Sequence, residues 1–384
     1  MHGDQKQAGG NDMQRLKFID RMSQGKLSRR DMLTKASAFG VGMLTLPSLP
    51  KAADVLTCLE WAGYDDPSYF KSFSDRNGTP NFSIFTGEED ALAKVLAGFS
   101  ADVMHPCNYS VNRFVNAKVA AEIDVTKLSN WKDVFPALQT ADGVVMDGKV
   151  VMAPTDWGNA SIAYRPDLVD EDFKKNESWG IFYDDKYAGK VAMLDSELCI
   201  TFGLMLDGMS YKEAAWATGD KLKAAADKWG RKCTANSRFL WTDPTEVNQA
   251  LASGEIVAAY AWNDTVKNLT DQGIPVAYAR PKEGFFTWYC GLTLLNSGKA
   301  DKALAYDFID AWLSPETGKT LIEGSGLGHS NTKSFELADK QAVAKMGFTD
   351  PIQHMKDGTL FIQVSDQVQT EYNKVWGDTK ALMQ

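Results

Sequence analysis

Eleven tryptophans in 384 residues is a high count, and Trp61, Trp157, Trp262 and Trp288 stand at the ends of apolar runs beside polar residues. A ring face attracts a cation by about 0.5–2 kcal/mol, and by more when water is excluded, so rings gathered at strand ends would seat an organic cation. The competing use of such a ring is to fill core space. Other reactive residue types give weaker patterns. Asp195 and Glu197 stand two apart in a stretch that reads as a strand, where two carboxylates share a face, but glycoside chemistry needs acids flanking a bond and nothing supplies the rest of that frame. Four histidines (His2, His105, His329 and His354) show no HxxxH or HExxH spacing, so no metal site is expected. The run Gly324-Ser325-Gly326-Leu327-Gly328 imitates a phosphate loop, yet it follows a helical pattern rather than a strand. Cys290, close to Trp288, has no histidine in a partner motif and reads as a thiol lining a cleft. Neither catalysis nor a cofactor is expected.

Short apolar runs alternate with helical patterns, the rhythm of an α/β protein. The strands expected are 55–61, 102–105, 149–153, 162–164, 190–194, 256–262, 276–279 and 291–295. Between them, 211–229 and 300–313 read as helices; in the second, Ala303, Tyr306, Phe308 and Trp312 recur at helical spacing. Ser314-Pro315-Glu316 then restarts a helix, with Ser as N-cap and Pro at the first position. There is no internal repeat and no low-complexity linker, so two lobes would have to be joined by extended strands.

Length and 44% hydrophobic content allow two domains with their own cores. A net charge of −9 argues against a surface that neutralises phosphate backbones, so nucleic acid is not an expected partner. The charge is unevenly spread. Residues 1–53 carry nine Lys and Arg and four acids, leaving 32 basic and 46 acidic residues in the remainder. Within that leader, Ser28-Arg29-Arg30-Asp31-Met32-Leu33-Thr34-Lys35 precedes a weakly apolar stretch rich in small residues, 36–49. This is the twin-arginine pattern, an address for export of a folded protein, with the mature chain starting near Asp54. No later segment approaches the apolar length of a spanning helix. Five cysteines, an odd number without CxxC spacing, are expected to be mostly free thiols.

From Val55 the chain reads VLTCLEWAGYDDPSYFKSF, followed in order by ADVMHPCNY at 101–109, APTDWG at 153–158, GEI leading to Trp262-Asn263, and RPKEG leading to Trp288. In this order and spacing the sequence resembles bacterial extracytoplasmic solute-binding proteins of the spermidine/putrescine-binding family, across most of 54–384. The resemblance implies a type II periplasmic binding protein, with two α/β lobes and a hinge of crossover strands closing on a ligand. It places one lobe at 54–158 plus 289–330 and the other at 159–288 plus 331–384, with Trp157-Gly158 and Trp288-Tyr289 at the hinges. The partners implied are a small-molecule ligand and an inner-membrane ABC permease in the periplasm, with the twin-arginine machinery as exporter.

The same resemblance puts Trp61, Tyr64, Tyr109, Trp262 and Trp288 on the cleft wall, with Asn108 and Trp157 beside them. It also shows what is missing. Gly63, Cys107, Ile200 and Cys290 stand where relatives place acids or hydrogen-bonding groups, and only Glu197 matches a family acid. A polyamine held by one carboxylate would leave charge uncompensated. A single diffuse cation, such as a methylated ammonium or sulfonium compound, suits such a box better. Arg238, in a loop that faces the cleft in relatives, is the candidate to answer a ligand carboxylate.

Overall fold

The computed structural model describes residues 55–382 apart from 86, 346–349, 351, 352, 354 and 356. The twin-arginine leader, expected at 1–53, lies outside the described residues.

Two long strands organise the chain. Ala153–Tyr164 and Phe286–Leu295 run antiparallel to each other and are buried along their whole lengths. Their register sets Trp288 opposite Gly158 and Tyr289 opposite Trp157. Full burial explains why the sequence pattern caught only parts of them: a strand covered on both faces loses the alternation of apolar and polar residues that marks a half-exposed one. A register shift falls between Cys290 and Gly291. There the second strand runs so close to the first that a Cβ on Gly291 would meet the Ala153 carbonyl oxygen at 2.2 Å.

Shorter strands flank this pair on both sides. The sheet order is Asn81–Phe85, Thr57–Trp61, Val103–Met104, Phe286–Leu295, Ala153–Tyr164, Ala258–Trp262, Val191–Leu194, Ser237–Trp241. The first three are parallel to one another, as are the last three, and each set meets the crossing pair antiparallel. Parallel strands need crossover connections, and the helices between them supply these.

Apolar side chains gather accordingly. One large cluster, including Trp179, Phe202, Tyr260 and Phe286, covers the 191–262 strands. Tyr372 and Trp376 of the C-terminal helix Asp366–Ala381 join it. A second cluster, including Phe70, Phe73, Phe308 and Trp312, covers the strands nearer the N-terminus, and Phe335 and Val343 pack against it. The helix expected at 300–313 spans Lys302–Trp312, and the next, Pro315–Ser325, opens with Ser314 accepting from the Thr317 amide. The helix expected at 211–229 is interrupted. Tyr211–Ala215 ends at Trp216, and a new helix, Gly219–Ala225, opens on Gly219 at φ 61°, a conformation that a regular right-handed helix does not use.

Candidate functional site

Trp61 ends the first strand, and Tyr64 follows in the turn made by Gly63 at φ 87°. Both aromatics are anchored to one buried polar group. The Trp61 indole N–H donates to the His105 carbonyl at 2.8 Å, and its backbone N–H donates to Glu60 Oε1 at 3.0 Å. The Tyr64 hydroxyl donates to Asp156 Oδ2 at 3.0 Å, while its ring stacks on Trp312. His105 itself lies between the two acids, with Nδ1 2.7 Å from Glu60 Oε1 and Nε2 2.8 Å from Asp156 Oδ1. Burial alone would depress the imidazolium, but the two carboxylates outweigh it and push its pKa up to about 10. Burial raises the Asp156 carboxyl in turn; the charge of His105 and the hydrogen bonds from His105, Thr155 and Tyr64 overcome this and hold it below its usual range.

Two further tryptophans lie on the other strand set and on the crossing pair. Trp262 ends its strand edge-on to Trp241, with ring centroids 5.3 Å apart. Trp288 lies on the second crossing strand directly over Gly158, where a Cβ would meet its ring at 2.5 Å. The Trp288 indole N–H is buried without an acceptor. Trp288 is a buried member of the large apolar cluster, and Trp61, Tyr64, Tyr109 and Trp262 are half-buried against it.

Two acids absent from the sequence reading stand among them. Glu88 opens the helix Glu88–Leu96 and accepts from the Cys107 amide at 2.7 Å and from the Ser110 hydroxyl. Burial pushes it up to about 7. Asp264, two residues after Trp262, is pushed by burial up to about 6, and its Oδ1 is buried without a hydrogen-bond partner. The Tyr109 phenol is raised by burial and then by the nearby charges of Glu88 and Glu197. In the sequence, Glu88 has the look of an ordinary acid at a helix start. The only available signal for Asp264 is its position directly after Trp262-Asn263.

Five other expected site residues have partners within the protein. Trp157 is fully buried; its indole N–H donates to the His329 carbonyl and its ring faces Phe335, so it is a core residue of the first crossing strand. Asn108 is buried and spent on the backbone: its amide donates to the Phe361 carbonyl at 2.8 Å and its Oδ1 accepts from the Tyr289 amide. Cys290 is not a free thiol but is joined to Cys107 in a disulfide. The two lie opposite each other in an antiparallel bridge, a proximity that a sequence separation of 183 conceals. Glu197 is not on a strand, since Val191–Leu194 ends before it; it stands just before the helix Leu198–Leu206, makes no capping hydrogen bond with its side chain, and accepts from Gln369 at 3.2 Å. Its neighbour Asp195 is paired with Lys380. Arg238 is exposed on the edge strand Ser237–Trp241 and pairs with Glu255 at 2.9 Å, so its charge is answered at the surface.

Two parallel strand sets joined through a pair of crossing strands define a two-lobed α/β binding protein of the periplasmic type. The chain belongs to the family of bacterial extracellular solute-binding proteins, which it matches over residues 69–347. It is 25% identical over 358 residues to the putrescine-binding periplasmic protein SpuD of Pseudomonas aeruginosa, covering 88% of this chain and 95% of that one. The spermidine/putrescine-binding periplasmic protein of Salmonella typhimurium is 23% identical over 337 residues, covering 87% and 93%. Among solved structures, a Listeria monocytogenes protein assigned to spermidine/putrescine ABC transport superposes with a TM-score of 0.74 at 21% identity, covering 86% of this chain and 99% of that one. The TpPotD lipoprotein of Treponema pallidum does so at 0.69 and 20%, covering 85% and 99%. These two structures establish the fold.

Proposed function

We propose that this protein is the periplasmic solute-binding subunit of an ABC importer, and that it captures a small organic cation or zwitterion between lobes at 54–158 plus 289–330 and 159–288 plus 331–384. What supports this is the placement of Trp61 and Trp262 at strand ends in the two strand sets, with Trp288 on the crossing strand between them. Rings drawn from both sets close on a ligand only when the lobes approach, and that closure is what a permease would read. A methylated ammonium or sulfonium group suits these walls because it needs no hydrogen-bond acceptor. The unaccepted Trp288 N–H, rather than Arg238, would meet the carboxylate of a zwitterion. Binding, not catalysis, is the role we assign.

The acids Glu88 and Asp264 favour a second ligand class, putrescine or spermidine, which the curated relatives are named for. A thermal-shift screen against polyamines, betaines, sulfonium compounds and amino acids separates the two. A ligand at 100 times its Kd stabilises the fold by about 2.7 kcal/mol. A shift with choline or betaine and none with spermidine supports the methylated cation; the reverse pattern supports the polyamine.

A further inference from the structure

We propose that Cys199 and Cys233 form a redox site, a buried dithiol that an external disulfide converts into a second cystine. Both are free thiols of the large apolar cluster, shut away from solvent, and the Cys233 Sγ donates to the Cys199 Sγ at 2.9 Å. A movement of less than about 1 Å would bring them to the length of an S–S bond, about 2.05 Å. Helix packing puts them there. Cys199 is on the helix Leu198–Leu206, and Cys233 on the helix Arg231–Asn236, which continues the π-helical turn Ala226–Gly230. One turn beyond Cys199, Gly203 faces Trp229, which stands one turn before Cys233; a Cβ on Gly203 would meet the Trp229 side chain at 2.2 Å. The two contacts therefore lie one turn apart along both helices, which run antiparallel, and the glycine lets them approach far enough for the thiols to touch.

The closed fold protects the pair. Burial pushes the Cys199 thiol well above its ordinary pKa, which suppresses the reactive thiolate. Access comes from the outer helix. Leu198–Leu206 is buried from Cys199 to Met205, whereas in Arg231–Asn236 only Cys233 and Asn236 are buried, and the Asn236 side-chain Nδ2 has no acceptor. A surface segment holding an unmatched donor opens more readily than the core helix beneath it. Once it opens, the Cys233 thiolate attacks one sulfur of the external disulfide and expels the first thiolate. Cys199, having given its proton to water, then attacks the Cys233 sulfur and expels the second. The two cysteines lose two electrons and two protons, and the oxidant leaves as two thiols. The periplasm is a compartment in which such disulfides persist. The remaining thiol, Cys58, belongs to the other apolar cluster.

The test uses the purified protein, glutathione disulfide as the oxidant, and urea raised in steps below the unfolding transition. After acid quenching and unfolding, the thiol count should fall from three to one. The mass should be lower by two hydrogens with no glutathione retained, and peptide mapping should find residue 199 joined to residue 233. The oxidised form should melt at a higher temperature than the reduced one, because the bond constrains the unfolded chain, and its amides at 226–236 should exchange hydrogen more slowly. In Cys199→Ala the partner is gone, and the same treatment should leave one glutathione on Cys233. Three thiols remaining at the last urea step, a cross-link through Cys58, or glutathione retained on both cysteines overturns the proposal. Should the variant fail to fold, the cross-link map of the wild type decides alone.

Discussion

His105 Nε2 lies 2.8 Å from Asp156 Oδ1, with both side chains shut away from solvent. With the folded pKa of His105 near 10 and the unfolded value near about 6.5, the imidazolium contributes stability that is fully present below the unfolded value and lost as pH rises toward the folded one. Asp156, held below its usual range, contributes in the opposite sense, and its share is lost only as pH falls into the acid range. Urea unfolding from pH 6.5 to 9.5 should therefore show wild-type stability declining steadily. His105→Gln should be less stable by about 3–5 kcal/mol at neutral pH, since two buried acids lose their shared cation, and should show a flatter profile. An equally steep decline in the variant would mean that another group titrates.

The tryptophans should divide by their contacts. Trp157→Ala empties a fully buried site and should cost about 3–5 kcal/mol of stability, measured by denaturant unfolding. Trp61→Ala and Trp262→Ala, at half-buried positions, should weaken solute binding much more than they weaken the fold. Intrinsic fluorescence of the wild type should change on ligand addition and respond less in each of these two variants.

Thiol chemistry gives a direct count. Unfolded without reductant, the protein should expose the three cysteines Cys58, Cys199 and Cys233 to a thiol reagent, and five after reduction. Replacing Cys107 and Cys290 together by Ser should lower stability by about 2–5 kcal/mol. Five reactive thiols before reduction would contradict the bridge.

Export should depend on Arg29 and Arg30. Replacing both by Lys should leave the protein in the cytoplasmic fraction, checked by immunoblotting after fractionation; normal periplasmic accumulation would sink the twin-arginine assignment.

The legibility of the fold followed exposure. Lys302–Trp312 came close to its expected limits because it has a buried face that its residue pattern displays, and Thr57–Trp61, buried at Cys58, Leu59 and Glu60, because its short run is bounded by turn residues. The crossing strands were caught only at 162–164 and 291–295, since burial on every side removes the alternation. That Trp61 and Trp262 end strands is visible in one dimension. The setting of the acids is not. Whether Glu88 is a surface helix-start acid or a buried partner of the Cys107 amide depends on a contact between separate elements. The pairing of Cys107 with Cys290 depends in the same way on the meeting of two segments 183 residues apart.

That cystine also turns the chain into a lasso. Everything between 107 and 290, including the whole first crossing strand and the strands Val191–Leu194, Ser237–Trp241 and Ala258–Trp262, lies within one covalent loop. A single proteolytic cut anywhere in that loop leaves one molecule of undiminished mass, which separates into fragments only after reduction. A nicked protein thus keeps the two crossing strands in one covalent molecule.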